Sequence, residues 1–328
     1  MDRAARNFFA LTGLSVVLAA NALCALAVYV AAPILEGDAS PGLADLAPIF
    51  LLAVVLAISV GLGVAELRRS LIATRSLAHR VEVLTIAPSE SLIRSAEASG
   101  LAGRVDLLDT DEGFSFAYGL AFPRVAISRG LMERLSPGEL GAALEHEGYH
   151  VRSRDPLRSV IAAVLVESIF LLPSLGVLRR RYEATRELAA DRSAEQRCGR
   201  RPLLGALLKA LEAPRWSQRA SIASLGNPSL LSMRLTQIET GISPALSSGG
   251  GNCLGQSIIG AGALVVVFAA AIIAVGGDSS LKLAVEEQVS PSGALFNALC
   301  VVPALAVAIA GYLAPRIFGH REVALRRS

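Results

Sequence analysis

The run Glu145-His146-Glu147-Gly148-Tyr149-His150 contains a His-Glu-x-x-His pattern. On an α-helix, residues four apart lie one above the other, so the imidazoles of His146 and His150 project from one face and can grip a single metal ion. Glu147 sits one step round, close enough to act on a water at the metal without occupying a coordination position. That is the layout of a zinc hydrolase, and Zn2+ is the expected cofactor.

The flanking residues place this pattern inside a delimited helix. Ser136-Pro137-Gly138-Glu139 is a capping box with proline at the first helical position, and Leu140, Ala143, Leu144 and Val151 follow as an apolar stripe. Asp155-Pro156 is expected to end the helix, since a residue before proline is pushed out of the α region. Gly148 runs against the pattern, because glycine inside a helix costs about 1 kcal/mol relative to alanine.

A zinc site of this kind needs a third protein ligand and an open fourth position. Arg186-Glu187-Leu188-Ala189-Ala190-Asp191 supplies a Glu and an Asp four apart on one helical face. Glu187 would complete a His-His-Glu set, and Asp191 is placed to accept the free ring N–H of a ligand histidine, with His146 the expected partner.

Of the 328 residues, 53% are apolar and 18% charged, against about 25% charged in a typical soluble domain. An α-helical membrane protein is expected, with the lipid bilayer as a partner. The net charge of +3 gives no case for nucleic acid. Cys24, Cys198, Cys253 and Cys300 show no paired spacing and read as free thiols.

Four transmembrane helices are expected, at about 8–32, 46–65, 257–275 and 294–314. Acidic loops (Glu36, Asp38, Asp45; Asp278, Glu286, Glu287) alternate with basic flanks (Arg68, Arg69, Arg75, Arg80; Arg316, Arg321, Arg326, Arg327). The positive-inside rule therefore puts the N-terminus, the catalytic domain and the C-terminus in the cytoplasm of a multi-pass plasma-membrane protein. The expected division is an N-terminal transmembrane hairpin over 1–65, a cytoplasmic domain over 66–246, a linker over 247–256, a C-terminal transmembrane hairpin over 257–314 and a basic tail over 315–328.

Within the cytoplasmic domain, Val81–Ile86 and Arg104–Asp109 read as strands, and Phe114–Gly119 with Arg124–Ser128 as a β-hairpin. Helices are expected over 88–99, 130–135, 202–212 and 228–240. The apolar stretch 157–172 cannot cross the membrane once, because Glu187 and His150 must meet at one ion. A membrane-proximal helical hairpin over 156–187, turning at Pro173, answers this: at 1.5 Å per residue it climbs about 24 Å and returns about 15 Å.

From about Gly100 to Gly199 the chain resembles the membrane metallopeptidases of BlaR/MecR type. The matching residues are Tyr118-Gly119, Pro123-Arg124-Val125, Gly130-Leu131, Glu139-Leu140, His146 to His150, Arg154-Asp155-Pro156-Leu157 and Glu187 to Asp191. The resemblance implies an α+β gluzincin-like zinc metallopeptidase domain, with His146, His150 and Glu187 as ligands and Glu147 as catalytic base. It also implies a protein substrate, with a cytoplasmic transcriptional repressor as the candidate. A short basic tail follows the last span where that family has a penicillin-binding sensor, so the protease half alone is carried over. HtpX-like and CAAX-processing membrane endopeptidases share the zinc pattern, and Asn227-Pro228 with Arg234 is similar to an element near the end of the HtpX-like domain.

The expected function is thus zinc-dependent endoproteolysis of a cytoplasmic or membrane-anchored protein, with Arg234, Tyr182 and Arg192 as candidate oxyanion stabilisers. The alternatives are an HtpX-like quality-control protease, or a non-proteolytic zinc-binding membrane signalling or scaffold protein. A purely structural zinc site has no need of Glu147.

Overall fold

The computed structural model describes residues 6–9, 11–13, 15, 43–211 and 228–241. Besides helical residues near the N-terminus, the elements among the described residues follow in order: α1 (Leu43–Leu84), β1 (Thr85–Ile86), α2 (Glu90–Ala98), β2 (Val105–Leu108), β3 (Ser115–Tyr118), β4 (Arg124–Ser128), α3 (Arg129–Arg134), α4 (Pro137–Arg152), α5 (Asp155–Ser168), α6 (Pro173–Cys198), α7 (Arg200–Leu211) and α8 (Pro228–Thr240). The chain divides into two compact units, one of 1–8, 64–164 and 177–249, the other of 9–63, 165–176 and 250–328. The first carries the sheet and the candidate site.

The sheet runs β1-β2-β4-β3, with β2 and β4 parallel and the outer pairs antiparallel. Alternate side chains leave a strand on opposite faces, and the core divides accordingly. Leu107, Val125 and Ile127 face a cluster with Leu92 of α2 and Leu140 and Leu144 of α4. Their neighbours Leu108 and Ala126 face another cluster with Phe114, Phe116 and Val81. Among the described residues β3 has no strand on its outer side, so that side of it is an edge of the sheet. Tyr118 of β3 and Arg124 of β4 both bond Asp106 of β2, at 2.6 and 2.7 Å, fastening that edge across the sheet.

Three expectations need correction. Residues 81–84 belong to α1 rather than to a strand, and only Thr85 and Ile86 pair with β2. Leu77, Val81 and Leu84 recur at helical spacing and pack on the sheet, while Val83 is exposed, so the alternation of 81 and 83 was not a strand signal. The motif helix ends at Arg152, before Asp155: Ser153 caps it, Arg154 takes a positive φ of 52°, and Asp155 opens α5. Pro156 then sits in the first turn, where a missing N–H costs nothing. The return leg of the helical hairpin begins already at Pro173, so it is longer than the roughly 15 Å expected. Asp155–Ser168 has 14 residues, about 21 Å, and Pro173 to Glu187 about 22 Å, so the legs match.

α1 contains the run expected to form the second span. Side chains are described at 50 and from 53 onward, and the apolar run then meets Glu66, Arg68 and Arg69; among the described residues no helix is long and apolar enough to cross a membrane. Most of the first expected span, and the linker, third and fourth spans and basic tail, lie outside the described residues.

Candidate active site

Helix α4 starts as the sequence dictates. The Ser136 hydroxyl accepts from the Glu139 amide and the Glu139 carboxylate accepts from the Ser136 amide at 2.7 Å. One face of α4 then carries His146 and His150, whose Nε2 atoms are 3.4 Å apart. From α6, the Glu187 carboxylate comes within 3.6 Å of His146 Nε2 and 3.8 Å of His150 Nε2. Tetrahedral zinc with bonds of about 2.0–2.1 Å would place neighbouring donors roughly 3.3 Å apart. The spacing of these three groups suits one ion, and among the described residues they are the cluster that could hold a metal.

A carboxylate stands behind each imidazole. Asp155 Oδ2 lies 2.7 Å from His150 Nδ1, so in the tautomer that leaves Nε2 free Asp155 accepts the ring N–H. Asp191 Oδ1 lies 3.0 Å from His146 Nδ1, close but obliquely aligned, so the contact falls short of a well-formed hydrogen bond. Asp191 is itself gripped in a fork by Arg234, at 2.7 Å to each oxygen. Arg186 donates to Glu187 Oε1 at 3.1 Å and to Ser159 at 2.6 Å, and the Tyr182 hydroxyl donates to Asp155 at 3.3 Å.

The electrostatics also suit a dication. Glu147, Asp155, Glu187 and Asp191 are all buried, against the two buried guanidiniums of Arg186 and Arg234. With both histidines neutral, two negative charges remain for a divalent ion to balance. Burial pulls the His146 imidazole down, yet Asp191 and Glu187 outweigh it and raise it to about 9. Burial would raise Asp191 and Glu187, but Arg234 chiefly holds Asp191 at about 2, and His150, His146 and the two arginines hold Glu187 well below the carboxylate range.

Glu147 is not one of the ligand trio. It lines a cleft of about 170 Å³ with His146, His150 and residues 113–120 of the β3 edge, and its Oε1 accepts from the Ser115 hydroxyl at 3.1 Å. Gly148 lies on another face of α4, where Arg152 folds back to Glu145; a Cβ there would meet the Arg152 guanidinium at 3.0 Å.

The three oxyanion candidates separate. Arg234 lines the cleft but is committed to Asp191, Tyr182 is fully buried against Asp155, and Arg192 is exposed on α6. Sequence reasoning missed Asp155, Arg186 and Ser115. Asp155 was read as a helix terminator, although an acidic residue opening the next helix within reach of His150 was a usable signal. Ser115 had none, since only the pairing of β3 with β4 and the packing of both on α4 brings it to Glu147.

Residues 87–190 match the family model described as Peptidase family M48. The chain is also similar to a protein described as "Protease HtpX homolog" from Acidiphilium cryptum (strain JF-5), 32% identical over 87 residues, which are 26% of this chain and 30% of the relative. The chain thus spans about a third of the length of this curated relative. No solved structure matches. These similarities are to metalloproteases of family M48, which are zinc-dependent, and do not single out the BlaR/MecR type.

Proposed function

We propose that this chain is an integral-membrane, zinc-dependent endopeptidase that cleaves a cytoplasmic or membrane-anchored protein. The observation that carries the reading is Glu147, a buried carboxylate in an open cleft, beside the ligand trio, bonded to a neutral hydroxyl and in no ion pair among the described residues. A site built only to hold zinc has no use for such a group. The membrane part rests on the uncharged runs of the sequence and their basic flanks.

His146, His150 and Glu187 would hold the zinc, which when bound supplies Lewis acidity for hydrolysis of a peptide carbonyl. The outer edge of β3 offers backbone donors and acceptors to an extended segment, which adds as a further strand and lays its scissile peptide beside Glu147. Glu147 accepts the proton of the attacking water and returns it to the departing amine. Ser115 orients the Glu147 carboxylate, while Asp155 fixes the His150 imidazole and Asp191 lies beside that of His146. The similarity to an HtpX homologue favours the HtpX-like protease reading over dedicated cleavage of a repressor.

Glu147→Gln tests the reading. The variant should retain one zinc per chain and lose cleavage of a co-expressed or added protein substrate; equal proteolysis by zinc-verified native and variant protein would overturn it.

A further inference from the structure

Two residues from the N-terminal end of the chain pack behind the candidate metal centre. The Phe8 ring lies against the Tyr182 ring, with centroids 5.5 Å apart and planes at 47°, and the Arg158 guanidinium carbon stands 5.5 Å from the Phe8 centroid. At such distances aromatic rings attract one another and attract a cation. Asn7 Nδ2 donates to Thr185 Oγ1 at 3.2 Å. Arg158 belongs to α5, and Tyr182 and Thr185 to α6, so Asn7 and Phe8 touch both legs of the hairpin that joins the ligands. Phe8 is buried and belongs to the compact unit that carries the sheet and the site, although it opens the first expected span.

Tyr182 links Phe8 to the ligand set. Burial, and after it the Asp155 charge, raises the Tyr182 hydroxyl above the ordinary phenol value, so it keeps its proton and acts as a donor. It donates to Asp155 Oδ1 at 3.3 Å, while Oδ2 of the same carboxylate stands 2.7 Å from His150 Nδ1. One bond at each oxygen fixes the plane of the Asp155 carboxylate, and with it the ring orientation that presents His150 Nε2 to an ion. The Phe8 ring, packed on that of Tyr182, limits the swing that would carry the hydroxyl away from Asp155.

We infer that Phe8 is a positioning residue for the metal site: through Tyr182 and Asp155 it holds the His150 imidazole, so that zinc affinity depends on how the N-terminal segment is seated. The inference rests on the reading of the ligand trio as a zinc site. Phe8 acts at two removes, so losing its ring should cost less than the roughly 10–100-fold of losing Asp155 itself. A role confined to packing would lower stability and leave the zinc affinity of the folded protein unchanged. Because Phe8 opens the first expected span, a shift of that segment loosens the zinc site without entering the cleft.

Chelator competition on the purified full chain tests this by zinc affinity, for native protein, Phe8→Ala, Tyr182→Phe, Asp155→Ala, and Phe8→Ala combined with Asp155→Ala. Phe8→Ala and Tyr182→Phe should each weaken binding by about 3–10-fold. Once Asp155 is gone, Phe8→Ala should weaken it no further, since residues that act through one another are not additive. Where Phe8→Ala does not fold, Phe8→Leu, which keeps apolar bulk and loses the ring contact, takes its place under the same criteria. Native affinity in the folded Phe8 variant or in Tyr182→Phe, or an equal loss with and without Asp155, overturns the positioning role and leaves the zinc reading standing. Absence of zinc binding by the native chain overturns the zinc reading and the positioning role with it.

Discussion

Asp155 reaches back across the end of α4 to place its Oδ2 2.7 Å from His150 Nδ1, five residues earlier in the chain. The contact exists because Arg154 turns the backbone through a left-handed conformation between two helices. Asp155→Ala should lower zinc affinity about 10–100-fold, the usual cost of losing a ligand's supporting partner. Chelator competition would measure it. Affinity equal to native protein would mean that His150 needs no help in choosing its tautomer.

Ser115→Ala removes the hydroxyl that bonds Glu147 at 3.1 Å. A hydrogen bond to a charged group contributes about 1.5–3 kcal/mol, so kcat/KM should fall by about tenfold or more while zinc content stays the same. An unchanged kcat/KM would remove Ser115 from the machinery.

Arg234 separates two roles by experiment. Its fork on Asp191 is fully buried, and removing one partner of such a pair costs about 3–5 kcal/mol. Arg234→Met should therefore lower stability to denaturant and weaken zinc binding, with Arg234→Lys an incomplete rescue. A variant of native stability and zinc content, defective only in kcat, would restore the oxyanion role expected from the sequence.

Glu139 predicts a pH dependence away from the metal. Its hydrogen bond with Lys209, at 2.6 Å, and its bond from the Ser136 amide hold the carboxyl below the usual value of 4.5. A carboxyl depressed by folding stabilises the fold above its unfolded pKa, and that contribution is lost as pH falls from about 4.5 through the lower folded value. Denaturant unfolding at descending pH should show this loss in native protein and a shallower one in Glu139→Gln. Parallel curves would exclude the cap as its source.

For orientation in the membrane, single cysteines at Ala98, Gln196 and Ser279 in a cysteine-free background should divide on intact cells. Ala98 and Gln196 are exposed in the structure. Only Ser279→Cys should react with an impermeant reagent, and labelling at either of the others would reverse the topology.

Much of the site was legible because its parts are local in sequence. A capping box fixes where α4 starts, and i, i+4 spacing then sets His146 with His150 and Glu187 with Asp191. The β-hairpin was legible for the same reason, its apolar residues alternating at period two. What was hidden depends on non-local packing. Val81 to Leu84 look like a strand until the sheet they pack on is known. Asp155 becomes a partner of His150 only once the chain doubles back at Arg154, and Ser115 meets Glu147 only through the placing of β3 over α4.

The two legs of the hairpin between the ligands, about 21 and 22 Å, act as a ruler. Glu187 comes level with His150 because what α5 climbs, α6 descends. Insertions and deletions in this segment are therefore permitted only in pairs. Dropping one helical turn from α5 alone would leave Glu187 about 5 Å out of step and part it from His146 and His150, whereas dropping a turn from both legs would keep the three level.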